Sequence, residues 1–330
     1  MTEKSAPLVS ISCVTYNHSP FLRQCLDGFF MQQCNFDFEI LLHDDASIDG
    51  SQDIIKGYMK RHPGIIKPIF QTENQYSKGV RSMSMTFNAP RARGKYIALC
   101  ESDDYWTDPL KLQKQVDFLE KNPEYSLTVG GYLETSDNTE EKLIIREFWD
   151  QPNYSEKGFD ITLDLFKRQW ITKTLTLVFR RSAIDLSELN KYKLLRDVHL
   201  NYHLLKNGQG YYFKEVFGVY RIHEGGVHSL IGETNQHLTY YTVYKELFKF
   251  NHFDFKNKFY RVCSNYIAYI RNHKTHALNS SMSKILKDGI RAANTEHEIY
   301  DIYSIAGVTN KVRIKVSVWI FKIKKKLNIR

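Results

Sequence analysis

The sequence predicts an α/β fold on a mostly parallel central sheet, and three observations carry that expectation. Short apolar runs alternate with helical patterns over the first 125 residues, as they do in successive βαβ units. Three of these runs end in polar residues: Thr15-Tyr16, Asp44-Asp45 and Asp103-Asp104. In an open α/β sheet, the carboxyl ends of the strands line the ligand crevice. The run Tyr96 to Cys100 is apolar on both alternating faces, which suits a strand covered on both sides.

Taken in order, Leu8 to Val14 is a β-branched run that ends in Thr15-Tyr16-Asn17, and Pro20 opens a helical pattern through Phe21, Leu22, Cys25, Leu26 and Phe29. Phe38 to Leu42 is a second strand. The stretch His43 to Gly50 follows it, with Asp49 best read as the cap of the next helix. Ile65 to Phe70 is a third strand, and Asn74 to Arg81 is a polar loop whose cations are Lys78 and Arg81. Ser82 to Arg93 reads as helical, ended or kinked by Pro90. After the strand at Tyr96, Glu101, Asp103 and Asp104 crowd three carboxylates into four residues. A divalent cation relieves that repulsion, and hard oxygen ligands suit magnesium or manganese. Asp108-Pro109 then reads as N-cap and first helical residue.

Further strands are expected at Ser126 to Leu133 and Thr174 to Phe179, with a surface excursion from Thr135 to Gly158 between them. A short helix is expected from Val198 to Leu205, then two strands, Gly210 to Phe213 and Phe217 to Ile222, around a turn. Val219, Arg221 and His223 share one face by the period of two. His199, His203 and His228 show no partner in the sequence and read as structural or exposed. From Glu233 the composition changes to aromatic-rich helix. The expected organisation is a domain over 1–232, a helical extension over 233–310 and a basic amphipathic tail over 311–330. The first domain divides near residue 125 into a ligand half and an acceptor half.

The five cysteines are odd in number and form no CxxC pair, so they read as free thiols in a reducing compartment. No GxGxxG or GxxxxGK is present, which leaves out the dinucleotide and P-loop fingerprints. Met1 to Ala6 has no secretory pattern and no run is long enough to span a bilayer. The net charge is +9, and Lys311, Arg313, Lys315, Lys322, Lys324, Lys325, Lys326 and Arg330 supply +8 of it without an acid. A nearly neutral body argues against a nucleic-acid partner. The tail, with Val316, Val318, Trp319, Ile320, Phe321 and Ile323 among its cations, suits an anionic membrane surface.

Three segments carry a family resemblance: Val9-Ser-Ile-Ser-Cys-Val-Thr-Tyr-Asn17, Leu42-His-Asp-Asp-Ala-Ser-Ile-Asp-Gly-Ser51 and Gly94-Lys-Tyr-Ile-Ala-Leu-Cys-Glu-Ser-Asp-Asp-Tyr-Trp106. In this order and spacing they resemble the signatures of family 2 glycosyltransferases with the GT-A fold, over about Pro7 to Ser229. The resemblance implies inverting transfer of a sugar from a nucleotide-diphospho-sugar, a UDP-sugar by family habit, to a glycan or lipid-linked acceptor. It also implies a divalent metal, manganese or magnesium. With the free thiols and the basic tail, the expectation is a cytoplasmic enzyme, peripheral on the inner face of the cytoplasmic membrane. By position, Thr15, Tyr16 and Asn17 would flank the nucleobase, and Asp45 with Asp44 would bind the base edge or ribose. Lys78, Arg81, Ser102, Asp104 and Arg221 would line the donor site. Asp103 and His223 would hold the metal, and Asp197 would be the catalytic base.

The chain departs from the family pattern at three points. Glu101 stands for the usual first Asp of the DXD-type motif, Arg196 stands where an acid is frequent, and the common Arg-Asn segment is not evident. Two rival readings stay open at this stage: a metal-dependent phosphoryl-transfer enzyme, and a catalytically silent nucleotide-sugar-binding protein.

Overall fold

A computed structural model describes residues 6–136, 139–226, 232–273, 276–309 and 311–326. The chain divides into two compact units, Met1–Ser229 and Leu230–Arg330. The first is α/β. Strands β1 (Val9–Thr15), β2 (Phe38–Asp44), β3 (Ile66–Phe70) and β4 (Tyr96–Leu99) pair parallel, with helices α1 (Ser19–Phe30) and α2 (Ser51–Arg61) as crossovers. The register sets Thr15 opposite Asp44 and Ser12 opposite Leu99, so β1, β2 and β4 end at one sheet edge.

The helix expected over Ser82 to Arg93 is only a π turn, Ser84–Asn88, and a 3-10 turn, Ala89–Arg91. Asn88 is fully buried there. Its Nδ2 donates to Ser12 Oγ at 3.0 Å and Leu41 O at 2.9 Å, tying the turn to β1 and β2. The helix expected at Asp108 begins later, as α3 (Lys111–Lys121). Asp108 instead closes a turn by accepting from Leu110 N at 2.8 Å.

The second half of the sheet is mixed. Strand β5 (Tyr105–Trp106) precedes α3 and pairs antiparallel with β10 (Gln209–Ile222). Strand β6 (Tyr125–Ser136) pairs parallel with β10 and antiparallel with β7 (Thr139–Ile144) and β9 (Val178–Arg180). Strand β8 (Gly158–Ile161) pairs with β10, and the main order is β3-β2-β1-β4-β9-β6-β10-β5. The excursion from Thr135 to Gly158 therefore includes β7. The strand expected at Thr174 begins as a 3-10 turn over Thr174–Thr176. The two strands expected around a turn at Lys214 are one strand, β10, with register shifts between Phe213 and Val216 and between Val216 and Val219. Short helices α4 (Leu163–Arg168) and α5 (Leu186–Leu189) and the longer α6 (Asp197–Lys206) complete the unit.

The core between sheet and helices holds Val9, Ile11, Leu22, Leu26, Phe29, Ile40, Leu42, Ala98, Trp106, Leu112 and Val116, all 0–1% exposed. Lys111 is equally buried. Its Nζ donates to Gln115 Oε1 at 2.7 Å and lies 4.1 Å from the centre of the Trp106 ring. Burial pushes this ammonium down to about 7.

The second unit is helical: α7 (Glu233–Phe250), α8 (His252–His273), α9 (His276–Ala292), α10 (Glu296–Ile305) and α11 (Lys311–Lys326). Its core gathers Phe259, Cys263, Tyr266, Ile267, Ile270, Ile285, Ile299, Ile302, Tyr303 and Val318. Most of the aromatic residues after Glu233 are thus packing groups. Among the described residues no helix is long and apolar enough to cross a membrane.

Candidate active site

The site is built where β1, β2 and β4 end. After β1 the chain turns through Asn17 in the left-handed region, at φ 54°. Two bonds hold that turn against the loop after β2. Asn17 N donates to Ser47 Oγ and Ile48 N donates to Asn17 Oδ1, each at 2.9 Å. Asp49 is not the N-cap residue of α2, a position Gly50 takes without a side-chain bond, but it stands just before it. Asp49 accepts from Ser19 N at 2.7 Å and Ser51 N at 3.0 Å, and these bonds outweigh burial to pull its carboxyl down to about 2.

Thr15 is fully buried with Oγ1 unpaired, while Tyr16 is 44% exposed beside it. Asp44 accepts from Ser47 N at 3.1 Å and Gln52 Nε2 at 2.8 Å through Oδ1, and its buried Oδ2 has no partner. Asp45 is differently engaged. Both its oxygens accept backbone N–H groups of the loop after β3, Gln75 N at 2.7 Å and Tyr76 N at 3.1 Å. That loop carries the two expected cations. Lys78 pairs with Glu73, and Arg81 donates to Tyr76 O at 2.8 Å with its guanidinium over the Tyr76 ring.

The acidic loop after β4 divides its labour. Ser102 is buried; its N donates to Val14 O at 3.1 Å and its Oγ lies 2.8 Å from His18 Nδ1. Asp104 is buried and accepts Arg221 N at 2.9 Å, which fastens the loop to β10. Burial and the nearby Asp103 charge push the Asp104 carboxyl well above its ordinary range. Asp103 faces inward. Its Oδ2 lies 3.2 Å from His223 Nε2, and its buried Oδ1 has no partner. Burial would raise the Asp103 carboxyl, but the His223 hydrogen bond and the nearby His18 hold it below the usual value. His223 lies just past the end of β10 and packs on Phe21, with ring centres 4.8 Å apart. The Arg221 guanidinium donates to Asp103 O and Gln24 Oε1 and lies over the Tyr105 ring.

The ligand atoms of His18, Asp103 and His223 all lie within 4.8 Å of one another. Two imidazoles, a carboxylate and an unpaired buried oxygen are a donor set that fits a divalent metal. His18 was not among the candidates from sequence. Its only signal there is its place directly after Thr15-Tyr16-Asn17, and 84 residues separate it from Ser102.

Glu101 is exposed at the start of the acidic loop, with protein groups close around its carboxyl. That crowding, with the charges of Asp103 and Asp197, pushes its carboxyl up to about 8. Asp197 is exposed as the first residue of α6, with Arg196 rather than Asp197 at the N-cap position. Sequence reasoning also missed Lys173. Its ammonium lies 3.3 Å from the centre of the Tyr220 ring, within electrostatic reach of Asp104, Glu134, Asp197 and Glu101. Burial lowers its pKa against the pull of those carboxylates.

Among the other histidines, His203 is buried with Nε2 3.1 Å from Tyr192 Oη, and His199 Nδ1 accepts Arg196 N at 3.0 Å. His228 lies outside the described residues, as do Arg330 and the rest of 327–330.

Comparison with known proteins places this geometry among relatives. The family described as Glycosyl transferase family 2 matches residues 10–184. The Mycobacterium tuberculosis protein Rv1520 is 31% identical over 220 residues, covering 66% of this chain and 60% of the relative. The chain therefore spans about 60% of the length of such curated relatives. TuaG of Bacillus subtilis, whose name assigns it provisionally to teichuronic acid biosynthesis as a glycosyltransferase, is 27% identical over 225 residues. That match covers 68% of this chain and 82% of TuaG. Among solved structures, TarS 1-349 of S. aureus in complex with UDP-GlcNAc superposes with a TM-score of 0.64 at 14% identity. It covers 92% of this chain and 91% of that one. At that identity the likeness speaks for the fold, a GT-A-like mixed sheet with added C-terminal helices.

Proposed function

The chain belongs to glycosyl transferase family 2, and from that premise we propose that it transfers a sugar from a UDP-linked donor to a hydroxyl of a glycan or lipid-linked acceptor, with inversion. The observation that carries the reading is a metal-competent donor set, His18, Asp103 and His223, with a separate carboxylate, Asp197, within electrostatic reach of Glu101 in the same acidic loop. Such a transfer needs two acids in different roles, one on the metal and one free to take a proton. UDP-GlcNAc in the TarS complex supports the choice of donor class.

In this reading the buried, unpaired oxygens of Thr15 and Asp44 receive the nucleoside, and the half-exposed Tyr16 ring covers it. Asp45 holds the loop that carries Lys78 and Arg81. Ser102, Asp104 and Arg221 hold the acidic loop against β1 and β10. Asp103 and His223 would hold a divalent ion, which would supply Lewis-acid stabilisation of the charge on the leaving diphosphate. Asp197 accepts the proton of the attacking hydroxyl.

The acceptor reading fits a protein held at a membrane. Helix α11 carries seven cations and no acid. Its exposed Val316, Trp319 and Ile320 share one helical face by their i, i+3, i+4 spacing. Arg313 and Lys324 flank that face on one side, and Lys315, Lys322 and Lys326 on the other. A face of this kind lays apolar groups into the interface of an anionic leaflet.

The decisive experiment incubates the chain with a panel of nucleotide sugars and manganese or magnesium, and measures release of nucleoside diphosphate and the fate of the sugar. Metal-dependent hydrolysis or transfer from a UDP-sugar is expected. Release of inorganic phosphate without sugar transfer would move the assignment to phosphoryl transfer. Tight UDP binding with no turnover on any acceptor would leave a binding protein.

A further inference from the structure

We infer that His18 is a third protein ligand of the metal, oriented by Ser102, and that the resulting set selects manganese-like ions over magnesium. The inference rests on the proposed transferase site but concerns His18, a residue that the motif resemblance leaves without a role. His18, Asp103 and His223 bring one donor atom each within 4.8 Å of the others. Donors about an ion at ~2.1 Å stand no more than ~4.2 Å apart, so small side-chain shifts close the set.

Two independent features support His18. The buried Asp103 Oδ1 has no hydrogen-bond partner among the protein groups around it, which is a costly state for a carboxylate oxygen unless a cation meets it. On the other side, His18 Nδ1 lies 2.8 Å from Ser102 Oγ. A ligating histidine normally donates its second ring N–H to a fixed acceptor, which sets the tautomer and aims the other nitrogen's lone pair. Ser102 is fully buried and its backbone is tied to β1 through Val14 O, so it is a rigid acceptor. His223 packs edge-on to His18, with ring centres 5.6 Å apart at 83°, so both imidazoles are held around Asp103.

The chemistry of the set decides the ion. Magnesium prefers oxygen donors and dehydrates reluctantly, whereas imidazole favours the first-row transition ions. Two imidazoles to one carboxylate therefore favour a first-row transition ion, manganese included, over magnesium.

The test reads the metal directly, in the full chain without any sugar donor. Pulsed EPR of the manganese-loaded protein should show two coupled imidazole nitrogens, and one only after His18→Ala. Calorimetric titration should show manganese bound at least about tenfold more tightly than magnesium. His18→Ala and Ser102→Ala should each weaken manganese about 10- to 100-fold, the range seen when an orienting partner is removed. One imidazole nitrogen in the unmodified protein overturns the inference without needing a variant to fold. So does equal affinity for the two ions. Failure of the transferase reading is separable: two nitrogens with no turnover of any nucleotide sugar would leave this inference standing, and one nitrogen with full turnover would do the reverse.

Discussion

Asp197→Asn is the residue-scale test of the division between a metal acid and a proton acid. The amide keeps the shape of the side chain at the start of α6 but cannot accept a proton. Transfer should fall by ~10²–10⁴-fold with UDP-sugar binding retained; near-normal transfer by this variant would remove Asp197 as the base. Asp103→Asn should act on the other side of the division, weakening metal-dependent UDP binding, and calorimetry showing unchanged affinity would remove Asp103 as a ligand. Lys111 offers a test of a different kind. Its folded pKa of about 7 lies below the unfolded value of 10.5. Below pH 7 both states carry the proton and the full cost of the buried charge is present. Between 7 and 10.5 only the unfolded chain holds it, so stability from this group rises with pH and the cost is gone above 10.5. The shift corresponds to roughly 3–5 kcal/mol, less the ~1–3 kcal/mol that Gln115 loses with its partner. Lys111→Met should therefore melt higher than the parent at pH 6.5, and its advantage should shrink by pH 9.5. A difference independent of pH would show that the ammonium is not the destabilising group.

At the scale of the elements, the register of β1 against β4 depends on one residue without a side chain. A Cβ on Gly94 would stand 2.5 Å from Ser10 N, 2.7 Å from Val9 C and 2.8 Å from Tyr96 O, all backbone atoms that cannot swing away. Gly94→Ala should cost roughly 1–3 kcal/mol and lower the melting temperature by several degrees; an unchanged melt would mean that the two strands separate freely at that end. This parallel half of the sheet was legible in the sequence because each strand is an apolar run, and after β1 and β2 the period of the pattern changes where the crossover helices α1 and α2 begin. The second half was legible only in part. Lys214 and Glu215 inside β10 read as a turn because two charged residues stand together where the register shifts, and no local pattern distinguishes a bulged strand from two short ones. Strand β5 has two residues and exists only through its pairing with Gly218 and Val219, a contact that no window of sequence contains. The same physics limits the site. Asp103, Asp44 and Thr15 could be found because each sits at the end of a legible strand. His18 needs Ser102 and His223 to give it meaning, and those come from other parts of the chain. Asp45 was grouped with Asp44, but only the fold shows its carboxylate spent on Gln75 and Tyr76.

For the whole molecule, the question is what the charge distribution is for. Helix α11 has two apolar faces, and only one is used within its own unit: Val318 lies in the helical core with Ile314 and Phe321 packed beside it, while Val316, Trp319 and Ile320 stay exposed. A helix serving only as the last layer of a bundle has no need of the second face, nor of cations along both of its borders. At ~1 kcal/mol for each basic residue near an anionic surface, the flanking cations would favour reversible attachment, with Lys322 first having to leave Glu296 at 3.0 Å, and the apolar face would add to it. Truncation after residue 310 should abolish co-sedimentation with anionic liposomes, but it also strips Val318 from the core and can expose sticky surface. Substitution separates the two effects. The triple change Lys315→Glu, Lys322→Glu and Lys326→Glu leaves Val318, Ile314 and Phe321 in place. It should retain the melting temperature to within a few degrees while losing sedimentation with phosphatidylglycerol vesicles. Trp319→Ser with Ile320→Ser should weaken binding at high salt more than at low salt, since the apolar contribution is the one that salt does not screen. Sedimentation of the triple variant equal to that of the parent would refute the membrane assignment and leave the exposed face of α11 to a protein partner.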